Sequence, residues 1–462
     1  MPATRLHSQL LSRNEYPQVV EQPPPLSIFW FRRDLRLQDN TALTKALAAG
    51  KPVLPVFIFD SHILTSLPRN DARVTFIFDT LQTLNAQLAE KFASGVAFFY
   101  GKPLAIFEQL LHTYRIDAVY ANRDYEPYAR ERDATVHQLL QAHGIRFFTY
   151  KDHVLFETDE IVKPDNQPYV VYTPYQKRWK TRWQEMASHS EQIEPNWENL
   201  AKDWSLPSQS LPQLTMAQIG FERSTLTVAD YRIDAQFLQT YGENRDFPAR
   251  THASRLGPYL RFGTVSIRQI MRQSIQAEAE IFINELIWRE FFSQILWHFP
   301  HTVSRSFKLR YDQIKWRNNE NEFTRWCAGM TGYPLVDAGM RQLNATGHLH
   351  NRVRMVAGSF LCKHLLIDWR WGEAYFAQKL LDFELASNVG NWQWVAGCGV
   401  DAAPYFRIFN PSTQIERFDP DWRYIEQWVE EVHQLAYPQP IVEHNFARQR
   451  CLEVYKRALG AS

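Results

Sequence analysis

The stretch SIFWFRRD, residues 27–34, is an unbroken apolar, aromatic run that stops abruptly in three charged residues. A short continuous run of this kind reads as a strand covered on both faces, as in a parallel sheet. Four more such runs follow: PVLPVFIFD (52–60), GVAFFYG (95–101), IDAVYANRD (116–124) and IRFFTYKD (145–152). Longer segments with helical periodicity separate them, for example RVTFIFDTLQTLNAQLAEKF (73–92). Strands alternating with helices predict a Rossmann-like parallel α/β domain over 27–155, after a tail of residues 1–26. No G-x-G-x-x-G follows the first run, so a dinucleotide site at that turn is not supported.

Beyond this domain the character changes. Residues 156–215 are rich in Pro, Trp and Ser, as in PNWENLAKDWSLPSQSLPQL (195–214), and read as a surface connection. From 216 to 462 no strand pattern stands out. Amphipathic stretches such as EIFINELIWREFFSQILWHF (280–299) predict an all-helical second domain.

The bulk numbers limit what such a chain does. At 462 residues it exceeds one ordinary core. Its net charge of +1 gives no global basic field, so nucleic-acid binding needs a local patch. The four cysteines form no C-x-x-C pair, which argues against a zinc site and for a reducing, cytoplasmic compartment. No apolar run is long enough to span a membrane.

Several clusters stand out in the helical half. On the stretch 280–299, Glu285, Trp288, Arg289 and Phe292 fall at i, i+3, i+4 and i+7, hence on one face. That stripe reads equally as a pocket wall or as a boundary with acid and base paired at its rim. In HNRVRM (350–355), Arg352 and Arg354 are two residues apart, so on a helix they point nearly opposite ways. RDFPARTHASRLGPYLRFG (245–263) has the Ser, Gly and Arg content of a phosphate-holding loop at a helix start, or of an ordinary cap. LLDFELASN (380–388) brings Asp382, Glu384 and Asn388 close to the indoles of SNVGNWQW (387–394). A carboxylate there can pair with Arg354 or accept from a ligand N–H.

Taken in order, NELIWREFF, TGYPLVDAGMRQLNATGHLHNRVRM, LLIDWRWGEAYF, NVGNWQW and DAAPYFRIFNP resemble the DNA photolyase/cryptochrome family. The resemblance runs from about residue 27 onward and is densest between 240 and 415. It is nearest to the bacterial class I cyclobutane pyrimidine dimer photolyases. It implies FAD in the helical domain, and light-driven electron transfer from reduced FAD to a flipped-out dimer in UV-damaged DNA.

By that resemblance Tyr241 and the loop Ala253, Ser254, Arg255, Leu256 and Gly257 hold the FAD phosphates. Many relatives have Thr and Ser in place of Ala253 and Gly257, so backbone amides have more to do here. Arg289, Phe383, Glu384 and the Arg354–Asp382 pair line the flavin, with Asn388 opposite its N5. Glu384 replaces a frequent second Asp. Glu285, Trp288, Asn351, Met355 and Trp394 form the dimer pocket, and Arg245, Arg352 and Arg407 contact phosphates. Trp392, Trp369 and Trp316 form an electron relay ending at the surface. Asn351, in place of a His-rich segment, points to cyclobutane dimers rather than six-four photoproducts. The resemblance leaves the antenna site of the α/β domain open among folate, deazaflavin, flavin and no chromophore. A cryptochrome-type light receptor is the alternative. Asn388, and a chain whose last helical stretch ends in LEVYKRALGAS, favour repair, by a monomer without membrane attachment.

Overall fold

The computed structural model describes residues 25–187, 211–250 and 252–460. The tail therefore falls almost wholly outside the described residues, as does most of 188–214.

The five apolar runs form five parallel strands: β1 Leu26–Phe31, β2 Val53–Asp60, β3 Ala97–Gly101, β4 Ile116–Asn122 and β5 Arg146–Tyr150, in the order β3-β2-β1-β4-β5. Every residue of β1 and β2 is buried. Phe29 and Phe31 face one layer, with helices Thr41–Ala48 and Ala72–Phe92. Ile28 and Trp30 face the other, with helices Pro103–Thr113 and Pro127–Ala142. Cover on both sides explains the absence of polar alternation in these runs.

The winding direction reverses between β1 and β4, where open α/β sheets leave a ligand crevice. Here that crevice is filled by paired side chains. Arg32 donates to Asp133 at 2.6 Å, Arg33 to Asp124 at 3.1 Å, and Asn122 to Asp34 at 2.6 Å. The helical half closes over it. The Leu35 N–H donates to the Phe262 carbonyl at 3.1 Å and the Arg36 guanidinium to the Gly263 carbonyl at 3.0 Å. Gly263 has φ +64 and lies so close to the Arg33 carbonyl that no side chain fits.

The span expected to be a plain connection is more structured. Helix α1, Tyr172–Ala187, lies within it and packs against the second domain. Its buried stripe is Tyr172, Tyr175 and Trp179, at i, i+3 and i+7. After the undescribed stretch the chain returns to the first domain: Phe98 N–H donates to the Pro212 carbonyl at 2.8 Å, and Met216, Ile219 and Phe221 enter the α/β core. The α/β packing unit thus includes residues beyond the expected boundary at 215.

The rest is helical among the described residues. The elements that shape the site are α2 (Ala235–Asn244), α3 (Glu280–His298), α4 (Asn351–Ser359), α5 (Leu385–Ala396) and α6 (Pro411–Phe418). α3 packs against α1, α2 and α5 and is apolar nearly all round, as a buried central helix must be.

Candidate active site

Two adjoining cavities, of about 240 and 470 Å³, open in the helical half. Arg245, Gly257, Glu285, Asn351, Arg354 and Asp382 line both, so they are chambers of one site. The larger takes Trp288, Arg289 and Phe292 from α3, Met355 from α4, Phe383 and Glu384 from the following turn, and Asn388, Trp392 and Trp394 from α5. The smaller takes Tyr241 and the loop Ala253, Ser254, Arg255 and Leu256. Arg352, Arg407, Trp369 and Trp316 are not among the lining residues.

The floor between the chambers is an ion pair. Arg354 donates to Asp382 at 2.8 Å and to the Leu349 carbonyl at 2.7 Å. The other carboxylate oxygen, Oδ1 of Asp382, is buried without a hydrogen-bond partner. Buried acceptors are nearly always paired, so this one calls for a donor on a ligand. Gly257 gains a reason here. A Cβ at that position would lie 2.6 Å from the Cβ of Asp382, so the room a serine hydroxyl would need belongs to the carboxylate. The adjacent Arg255 turns through left-handed backbone, φ +52, and the Leu256 N–H is capped by Ser254 Oγ at 3.4 Å.

Glu384, where relatives often carry an Asp, reaches partners in the α/β domain. It accepts from Arg33 at 2.7 Å, from His153 at 2.8 Å, and pairs with Arg289 at 3.3 Å. Burial pushes its carboxyl up, but Arg289, His153 and Arg33 override that and hold it well below the carboxylate range. Burial, with Arg289 and Arg33 alongside, holds His153 neutral, its pKa lowered to about 3. This wall of the larger chamber is thus tied to the ends of the α/β strands. Neither Arg33 nor His153 carried any motif to suggest this.

On α5, Asn388 is buried, and its amide N–H groups donate to the Glu373 carbonyl at 3.0 Å and carboxylate at 2.8 Å. With its donors spent, its carbonyl oxygen is the end left for the cavity. On α3, Trp288 is backed by Tyr172, the rings parallel within 6° and 3.7 Å apart. Trp392 is 3% exposed, with Phe376 and Trp326 as ring neighbours at 4.9 and 6.2 Å. Trp369 is buried and its indole N–H lacks a partner, while half-buried Trp316 meets Tyr455 edge-on at 6.0 Å.

The mouth is charged. Arg245 pairs with Glu285 and lies 4.0 Å from Asp246. Asp246 also accepts from Arg352 at 2.8 Å, and the Arg352 guanidinium covers the Phe418 ring of α6 at 4.3 Å. As the spacing of HNRVRM requires, Arg354 faces the cavity and Arg352 the rim. Arg407 is exposed, next to Phe406, which is 62% exposed. Thr227 and Val228 line the smaller chamber though they carried no sequence signal; His252, His348 and His350 line it from within the quoted stretches, where other residues drew attention.

Among the described residues no His, Cys, Asp and Glu group fits a metal ion, and no helix is long and apolar enough to cross a membrane.

Residues 282–436 match the family model of the FAD binding domain of DNA photolyase, and residues 27–195 that of DNA photolyase. A deoxyribodipyrimidine photo-lyase of Synechococcus sp. is 36% identical, covering 94% of this chain and 97% of that protein. The one from Escherichia coli is 34% identical over 93% and 98%. Among solved structures, a bacterial class III photolyase from Agrobacterium tumefaciens superposes with a TM-score of 0.81 at 32% identity, covering 96% of this chain and all of that one. An archaeal photolyase from Sulfolobus tokodaii, solved with two FAD molecules, gives 0.79 at 35%, covering 93% and 99%. A cryptochrome from Synechocystis shares the fold, at 0.79 and 23% identity over 93% and 99%. Both halves of the sequence, and nearly the full length of these relatives, are accounted for together: this chain belongs to the DNA photolyase family.

Proposed function

We propose that this chain repairs cyclobutane pyrimidine dimers in DNA by light, as a deoxyribodipyrimidine photo-lyase with bound FAD. The observation that carries the proposal is the double chamber. One lobe is built from a loop of backbone amides, the floor presents an unspent carboxylate oxygen, and the other lobe presents indole walls beneath a rim of arginines.

The residues fit the cofactor. Tyr241 and the loop 253–257 would hold its phosphates, and the unpaired Asp382 Oδ1 would accept from a ligand N–H while Arg354 offsets its charge. Arg289 and Glu384 pack at the flavin side. Bound in its reduced form, FAD supplies the light-excited electron.

The protein groups do the rest. With its amide N–H groups donating to Glu373, Asn388 would turn its carbonyl oxygen to the bound flavin and accept a hydrogen bond from its reactive edge. Trp288 and Trp394 give the extruded dimer apolar walls and keep water out. Enzymes that act on a stacked base take it out of the helix, and photolyases are a known instance. Glu285 and Asn351 hydrogen-bond the dimer bases, and a proton carried by Glu285 would offset the negative charge that develops on them. Arg245, Arg352 and Arg407 contact backbone phosphates, which position DNA without reading its sequence. The exposure order, with Trp392 and Trp369 buried and Trp316 half-buried, supports a relay that delivers charge to solvent. Free cysteines support a reducing, cytoplasmic setting, and the local rim suits a monomer on DNA.

The test joins an absorption spectrum, before and after denaturation, with competition binding. The proposal expects about one FAD released per chain, and preference for a cyclobutane-dimer duplex over undamaged and six-four duplexes. Flavin without dimer preference would favour the light-receptor reading.

A further inference from the structure

We infer that Asp246, a residue outside both cavity linings, sets the discrimination between damaged and undamaged DNA. It does so by competing with phosphate for the two rim arginines. The inference rests on the repair reading above. Its basis is the chain of charges Glu285, Arg245, Asp246, Arg352 that crosses the mouth from α3, past the end of α2, to α4. Two of the three cations placed to receive phosphates, Arg245 and Arg352, are already engaged by acids of the same molecule. Burial lowers the Arg245 pKa, but Glu285, Tyr241 and Asp246 outweigh it and hold it raised. Arg352 is further fixed by its cover on Phe418.

A phosphate arriving at this rim must share or displace Asp246. A DNA that stays stacked meets that cost in full, because Glu285 and Asp246 both hold Arg245. A DNA that inserts two adjacent lesioned pyrimidines of one strand into the chamber meets less of it: Glu285, drawn to the bases beside Asn351 and the indole walls, leaves Arg245 freer for phosphate. Specificity obtained by an internal repulsive or competing group, rather than by tighter contact to the target, is a general device. Asp246 touches no base and no cofactor in this scheme. It is a positioning residue that acts through Arg245 and Arg352, with its own side chain 37% exposed and free to yield.

The test is the Asp246→Asn holoprotein, titrated with an undamaged duplex and with the same duplex carrying one thymine dimer, at several salt concentrations. Affinity for the undamaged duplex should rise roughly 3- to 10-fold, with a salt slope steeper by about one ion. Affinity for the dimer duplex should rise less, so the ratio of the two falls. Asp246→Glu should restore the wild-type ratio. An unchanged ratio, or weaker binding to both duplexes, overturns the inference. If wild-type protein itself shows no preference for the dimer duplex, the repair reading fails, which is a different result. FAD content and thermal midpoint, measured on each variant, separate a folding defect. Should Asp246→Asn misfold, Asp246→Ser read in the same way replaces it, and loss of fold in both overturns the inference in favour of a structural role.

Discussion

Tyr172 lies flat against Trp288, ring centroids 3.7 Å apart, and its hydroxyl donates to the Asn284 carbonyl at 2.9 Å. A residue from the span between the domains thus fixes a wall of the cavity. Stacked aromatic pairs contribute about 0.5–1.5 kcal/mol beyond area burial. Tyr172→Leu should lower the thermal midpoint slightly and weaken binding to dimer-containing DNA several-fold, with FAD content unchanged. Fluorescence titration against the flavin absorbance checks it. Loss of FAD in this variant would place the ring in cofactor holding instead.

Gly257→Ala puts a methyl 2.6 Å from the Cβ of Asp382 and 2.9 Å from its carboxylate. The Asp382–Arg354 pair has to move, and with it the acceptor on the chamber floor. FAD retained through purification should fall well below one per chain, while the secondary-structure spectrum stays native. Normal FAD content would show that the loop, not the carboxylate, yields.

Acid should destabilise the protein before its carboxylates titrate. Burial lowers His153 and His364 to about 3 and His348 and His350 to about 4. In the unfolded chain each titrates near 6.5. Their folded pKa values are depressed, so the stability is present above about pH 6.5 and is lost as pH falls below it. Each costs about 1.4 kcal/mol per pH unit in that range. Glu290, pushed up to about 7 by burial, works the other way by one group, so the balance still favours unfolding. Denaturant midpoints of the holoprotein between pH 7 and 5 should fall, and His153→Gln should fall less steeply. A flat profile would contradict these burial assignments.

The five strands were legible because cover on both faces leaves no polar residue to interrupt the runs. The chamber residues were legible because they sit in long motifs with unusual acid, indole and guanidinium spacing. Helix α1 was not, since its stripe of Tyr172, Tyr175 and Trp179 is set among charged residues and prolines that read as a loop. Glu384 and Arg33 are 351 residues apart in sequence, and their contact depends on how two domains dock, which no local pattern encodes. The same holds for Asp246 and Arg352, 106 residues apart.

Trp316→Phe tests the relay. It keeps an aromatic of similar shape at a half-buried position, at a cost of about 1 kcal/mol. Light-driven reduction of oxidised FAD should fall sharply, and repair by chemically reduced protein should stay near wild type. Normal photoreduction would turn attention to Trp326, the ring neighbour of Trp392 at 6.2 Å. Loss of pre-reduced repair would make Trp316 structural.

The central claim is that the double chamber holds reduced flavin against an extruded pyrimidine dimer. Blue-light illumination of the chemically reduced holoprotein with a dimer-containing oligonucleotide tests it most directly, followed by recovery of pyrimidine absorbance near 260 nm. The account predicts light-dependent recovery through many turnovers, none in the dark, and a several-fold lower yield per photon in Glu285→Ala at equal FAD content. No recovery in light from protein with a full complement of reduced FAD would contradict it.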